Sequence, residues 1–161
     1  MRTWVDASTL IGLDAIGEIR VLRDLLGRAA ITRQVEEEVF TGKESEVLRE
    51  ARHDWIEVVS VSGDARRWRA LGLGKGEASM FLAPSGDRLL LDEPPARAVA
   101  ESEGREYVGL IGLLLGAMDQ GQILPDRMED VVQRLLRAGF RLSTDLYDAV
   151  MRAIEERRRS R

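Results

Sequence analysis

Two acidic residues stand where apolar runs stop. The first run leads into Asp6 within Trp4-Val5-Asp6-Ala7-Ser8-Thr9-Leu10-Ile11, and the second, Leu89-Leu90-Leu91, ends in Asp92-Glu93. Carboxylates set close together hold hard cations and repel one another without them. In open parallel sheets, ligands bind in the crevice beyond the carboxyl ends of the strands. Two acids at two strand ends therefore predict a shared polar crevice. Each also has a local explanation. Asp6 can cap the following turn with Ser8 and Thr9, and an Asp shortly before Pro94 and Pro95 favours a turn. The coincidence of the two raises the pair above either alone.

Further acids lie on predicted helices. In Glu36-Glu37-Glu38, with Val35 and Val39 as the buried centre, the helical step of about 100° turns Glu37 directly away from the core. Glu36 and Glu38 each fall about 80° from that centre, and periodicity does not choose between them. A solvated acidic face at a helix start is the more common explanation for such a run. Glu77 opens another helix, where a carboxylate gains roughly 0.3–1 kcal/mol from the dipole. It also offers a fourth acid ahead of the Asp92 strand.

Composition limits the chemistry by elimination. The 161 residues include no cysteine and a single histidine, His53, which excludes disulfides and a thiolate nucleophile. A Cys-built metal site lacks its residues, and without a second His beside His53, read as an exposed loop histidine, a His-rich metal site or a Ser-His-Asp triad elsewhere is not expected. A metal here is therefore a hard cation on oxygen ligands, Mg2+ or Mn2+. The net charge of −4 argues against a passive nucleic-acid coat and leaves a nuclease open. Nearly all the basic residues are arginines, whose forked guanidinium suits phosphate. The terminal Arg157-Arg158-Arg159-Ser160-Arg161 reads first as a helix end complementing its own dipole.

The elements that must position these acids alternate. Strands are predicted over 3–6, 29–31, 55–61, 88–91 and 106–108. Helices are predicted over 14–26, 33–40, 45–52, 77–83, 95–103 and 110–119, followed by helices 126–138 and 144–158. Strands alternating with helices imply βαβ units on a parallel sheet. The stretch Gly72-Leu73-Gly74-Lys75-Gly76 lacks the Ser or Thr and the spacing of a phosphate-binding loop, and reads as a tight lead into a helix. Residues 110–118 are strongly apolar but too short to span a bilayer, so they form a core helix whose Gly112 and Gly116 allow close packing. With no targeting signal visible, a soluble cytoplasmic protein without membrane contact is expected.

Taken in order, Val5-Asp6-Ala7-Ser8, Val35-x-x-Glu38-Val39, Gly74-x-Gly76-Glu77-Ala78 and Leu91-Asp92-Glu93-x-x-Ala96-Arg97-x-x-Ala100 resemble a PIN domain. More narrowly, they resemble the prokaryotic branch related to the toxin ribonucleases of VapBC-type toxin–antitoxin pairs. The later Val108-Gly109-Leu110-Ile111-Gly112-Leu113-Leu114, Ala117-x-x-x-Gly121-x-Ile123, Gly139-Phe140-Arg141-Leu142-Ser143 and Leu146-Tyr147 are similar to its following stretches. The resemblance implies a single domain over 1–161, a three-layer α/β/α sandwich with a central parallel sheet. A helical extension would run over about 124–161.

The resemblance further implies a metal-dependent endoribonuclease, the toxin of a toxin–antitoxin pair. Asp6, Glu38, Glu77 and Asp92 would hold Mg2+ or Mn2+, and the Val-x-x-Glu-Val match selects Glu38. Ser8 and Arg97 are candidate substrate contacts, although a salt bridge to the acids explains Arg97 as well. RNA, a small antitoxin protein and a second copy in a homodimer are the implied partners. The family often carries a hydroxyl residue where Leu110 and Ile111 stand, and polar or basic residues where Pro94 and Pro95 stand. Those departures motivate an alternative, a catalytically impaired PIN-like module that binds RNA or protein without cutting. A phosphotransferase with Asp6 as nucleophile would want an Asp two residues on, where this chain has Ser8.

Overall fold

The computed structural model describes residues 1–160. Its strands are β1 (Thr3–Val5), β2 (Ala29–Thr32), β3 (Ile56–Val59), β4 (Arg88–Leu90) and β5 (Tyr107–Val108). They are short and strongly apolar, as expected for strands covered on both faces. All pairings are parallel, and the order across the sheet is β3-β2-β1-β4-β5. Helices cover both sides of the sheet, giving the three-layer α/β/α architecture expected from the sequence.

The order reverses at β1. From β1 the chain moves outward to β2 and β3, then returns to place β4 on the other side of β1. Such a reversal leaves a crevice at the carboxyl ends of the two central strands. Val5 pairs with Leu90, and Asp6 N–H still donates to Leu90 C=O at 3.2 Å. The two acids singled out above therefore leave the sheet side by side.

The helices are α1 (Ala7–Ala15), α2 (Arg20–Leu26), α3 (Arg33–Val39), α4 (Glu46–Asp54) and α5 (Arg66–Ala70). They continue with α6 (Lys75–Met80), α7 (Pro94–Ser102), α8 (Leu110–Asp119), α9 (Pro125–Arg137) and α10 (Thr144–Arg159). Side-chain caps set several starts. The Asp6, Thr32, Ser45 and Ser143 side chains accept from Thr9, Val35, Leu48 and Leu146 N–H, each satisfying an otherwise orphaned amide. Pro94 and Pro95 begin α7, where a missing N–H costs nothing. His53 is exposed in the last turn of α4.

Two expectations are corrected. The helix expected over 14–26 is two helices, broken between Ile16 and Ile19. Gly17 there takes φ +71°, and Glu18 turns inward to meet α9. The apolar stripe Ile16, Ile19, Leu22 runs across this break and conceals it. Helix α5 had no sequence signal beyond Trp68, which buries its ring stacked on Phe81 at 5.6 Å between centroids.

The core is continuous from the sheet into the C-terminal helices. Met128, Val131, Val132 and Leu135 of α9 and Val150 and Ile154 of α10 are buried in the same cluster as Val5, Leu89 and Leu114. A second tie is ionic. Buried Glu18 accepts from Arg127 at 2.7 and 2.5 Å and also pairs with Arg134, which donates to Ile16 C=O at 2.6 Å. Both arginines are partly exposed, so solvent screens part of this clamp. Glu18→Ala leaves the break between α1 and α2 without its anchor and takes the carboxylate from Arg127, while Arg134 keeps Asp130 and Ile16 C=O. It is expected to cost about 2 kcal/mol, lowering Tm by about 4–8 °C for a chain of this size. Thermal unfolding with an unchanged Tm would remove the clamp from the stability of α9.

Candidate metal centre

Asp6 sits where β1 and β4 part, and its carboxylate takes over from the backbone ladder. Oδ2 accepts from Asp92 N–H at 3.0 Å and from the Ser8 hydroxyl at 3.3 Å, while Oδ1 accepts from Thr9 N–H at 3.0 Å. Thr9, fully buried, donates its hydroxyl to Asp92 Oδ2 in a short hydrogen bond. Asp92 Oδ1 accepts from Leu110 N–H at 3.1 Å, so this carboxylate meets the N-terminus of α8. Each aspartate thus faces a helix N-terminus, where amides and dipole favour negative charge.

That compensation is incomplete for Asp6. Burial pushes its carboxyl up to about 7 from an ordinary 3.8, and the neighbouring charge of Asp92 pushes the same way. The hydrogen bonds from Thr9 and Asp92 pull against both without winning. A carboxyl in this condition gains from any cation that takes the place of its proton.

Glu38 and Glu77 form the second group. Glu38, on α3, reaches across to α6 and accepts from Gly76 N–H at 2.9 Å. Its neighbours go elsewhere. Glu36 lies beside Arg33 and Arg52, each at 3.8 Å, and Glu37 beside Lys75 at 3.7 Å. A β-carbon on Gly76 would stand 2.6 Å from Glu38 Oε1. Glu77 Oε1 accepts from Gly74 N–H at 3.2 Å, closing the turn of the glycine-rich stretch. Glu77 Oε2 is buried with no hydrogen-bond partner. Burial raises the Glu77 pKa first, and the charges of Glu93 and then Glu38 add to it.

The four acids therefore lie as Asp6 with Asp92, and Glu38 with Glu77. Among the described residues, no three Asp, Glu, His or Cys side chains form a ready-made cage for an ion. The donors nevertheless suit a hard cation. All are carboxylate oxygens, one is buried without a partner, and one carboxyl is strained toward protonation. Glu93 joins the group through its charge on Glu77, and as the residue preceding α7 it makes no side-chain cap bond. The sequence offered Glu93 only as the neighbour of Asp92. Thr9 offered only a local turn role, because its bond to Asp92 spans 83 positions.

Arg97 lies over the centre rather than free in solvent. Its Nε donates to Leu91 C=O at 2.8 Å and its Nη2 lies 3.4 Å from Asp92 Oδ1. It also lines, with Ser8, Asp92 and Glu93, an open groove of about 900 Å³. The far wall comes from the segment joining α9 to α10, including Phe140, Arg141 and Leu142, and Ile11 and Ile111 contribute apolar surface. Of the four departure residues, Leu110 is buried and presents its amide to Asp92, Ile111 and Pro94 border the groove, and Pro95 is in the first turn of α7.

The model of the DUF3368 family, described as a PIN domain, matches residues 3–156. No curated protein and no solved structure matches the chain significantly.

Two outcomes follow from the geometry. Unfolded Asp6 releases its proton near 3.8, whereas folded Asp6 keeps it to about 7. Below the first value both states hold the proton. Between the two, the unfolded state binds fewer, so the metal-free fold loses stability as pH rises from about 4 to about 7. Asp6→Asn removes that loss, so denaturant titrations should show the variant gaining on wild type across this window. A pH-independent difference would mean that Asp6 titrates normally. Gly76→Ala tests the second pair. Alanine gains about 1 kcal/mol in a helix, and the obstacle is only the tip of the Glu38 side chain. Displacing the Glu38 carboxylate also gives up its bond from Gly76 N–H, about 1.5–3 kcal/mol, so Tm should hold or fall by a few degrees, and a crystal structure of the variant would reveal the displacement.

Proposed function

The chain belongs to the PIN-domain family, a nuclease-type fold, and from that premise we propose that it is a metal-dependent endoribonuclease. The observation that carries the reading is the Asp6–Asp92 pair, buried at the reversal of the sheet beside an open groove. On this reading Asp6, Glu38, Glu77 and Asp92 hold Mg2+ or Mn2+, with Glu93 adding negative charge beside Glu77. Bound divalent ions supply a hydroxide at neutral pH and stabilise the leaving oxygen of a phosphodiester. The chain's own residues do the rest. The helix N-termini and Thr9 fix the directions of the two aspartates, Glu77 keeps one oxygen free of the backbone, and Ser8 and Arg97 line the approach for a phosphate.

The finer assignment is to the toxin of a toxin–antitoxin pair, acting on RNA in the cytoplasm as a homodimer. It is supported by the order and spacing of the motifs quoted above and by the open groove beside Asp92. Among the described residues no helix is long and apolar enough to cross a membrane. The whole chain is read as one unit, because α9 and α10 share the core and build the groove wall. A second reading, a module that binds RNA without cutting, draws on Ile111 at the groove in place of a polar residue.

The test is cleavage of a mixed RNA panel with Mg2+ or Mn2+, comparing wild type with Asp6→Asn. Metal-dependent cutting should fall about 100-fold or more in the variant. Equal cutting by both proteins would sink the assignment of Asp6. Binding of RNA without cutting by folded wild type would favour the second reading.

A further inference from the structure

Gly109 precedes α8 with φ −93° and ψ 163°, an extended conformation open to every residue. Its backbone does not require glycine. Its surroundings do. A β-carbon there would lie 3.0 Å from Arg97 Cζ and closer still to Nη2, with Asp92 Oδ1 at 3.5 Å. The guanidinium lies directly across the bare Cα. It is held from the other side by Leu91 C=O, and its charge is turned onto the Asp92 oxygen that also receives Leu110 N–H.

We infer that Gly109 is a positioning residue, the notch that seats Arg97 as the resident countercharge of the Asp6–Asp92 pair, and that Arg97 thereby weakens the hold of these acids on a divalent cation. The inference rests on the reading of Asp6 and Asp92 as cation-holding residues. Two carboxyl groups lie together here, largely out of water, and Arg97 is the one cationic side chain within 4.0 Å of either among the described residues. In the metal-free protein it offsets part of their repulsion. Toward an arriving dication it is a like charge a few ångströms away, with only about a third of its side chain exposed to screening water. The same contact that steadies the empty pair therefore opposes loading.

Arg97 is also flexible at its tip, and this makes the notch testable. A methyl group at Gly109 has no backbone to fight, only a guanidinium that can swing into the groove. Gly109→Ala should therefore reproduce the loss of the Arg97 charge while Arg97 itself remains in the chain. Arg97→Met keeps most of the side-chain volume and removes the charge.

The experiment is a double-mutant cycle on the full chain, with Mn2+ as the probe. Calorimetry gives the Mn2+ dissociation constant and thermal unfolding gives the metal-free Tm for wild type, Arg97→Met, Gly109→Ala and the double variant. Each single variant should bind Mn2+ about three- to tenfold tighter and unfold a few degrees lower without metal. The double variant should match Arg97→Met in both readouts, because the notch has nothing left to seat. Mn2+ binding in Arg97→Met that is unchanged or weaker would overturn the countercharge role. Full additivity in the double variant would overturn the notch. Asp6→Asn separates the two levels of the argument. If wild type binds no Mn2+, or if Asp6→Asn binds it as tightly as wild type, the metal-centre reading falls together with the inference. If Asp6→Asn weakens binding and Arg97→Met does not tighten it, the inference falls alone.

Discussion

The structure depends on keeping two carboxylates side by side, out of water, at the end of its two central strands. Ionised carboxylates in a dry environment are costly unless paired and hydrogen-bonded. The surrounding architecture reads as a set of partial compensations. The sheet parts at Asp6 so that the Asp92 amide turns to the Asp6 side chain. Helix α1 offers Thr9 N–H to Asp6, and α8 offers Leu110 N–H to Asp92. The Thr9 hydroxyl links the two aspartates. The residual imbalance is visible in the raised pKa of Asp6, which burial and the charge of Asp92 push up together.

Much of this was legible in the sequence, for a physical reason. Short β-branched and aliphatic runs alternating with helical stripes allow few architectures besides a covered parallel sheet, and that sheet is observed. An acid at the end of such a run stands out because the residues leading into it are apolar. The choice between Glu36 and Glu38 was not legible from periodicity, since both flank the buried face equally. Their partners separate them, Arg33 and Arg52 for one and Gly76, on another helix, for the other. The split of α1 from α2 was hidden because the apolar stripe continues through Gly17, while the reason for the break, the clamp on Glu18, lies more than a hundred residues away.

The site's two close-packed glycines carry a related lesson. Glycine is usually explained by its freedom at positive φ, as at Gly17. Gly76 lies within a helix and Gly109 is extended, so neither needs that freedom. What both supply is room. The Glu38 carboxylate occupies the space over one Cα and the Arg97 guanidinium the space over the other. Spacing along the chain does not reveal this use of glycine, because the group that fills the space comes from a different element. It is nevertheless a strong constraint on where the charges of the centre can lie.

Those charges are compensated unequally. The Asp6–Asp92 side has three backbone amides, two hydroxyls and one guanidinium turned toward it. The Glu38–Glu77 side has two backbone amides, and the one lysine nearby, Lys75, is exposed and lies beside Glu37. A buried Glu77 oxygen is left with no partner, and Glu93 adds a further like charge. Coulomb energy in a partly dry crevice grows steeply as screening falls. The unmet negative charge is therefore concentrated on the α6 side of the centre, while the aspartate side is held in a directed, partly neutralised geometry. The aspartate pair is the more fully directed of the two by its hydrogen bonds, and the groove opens beside it.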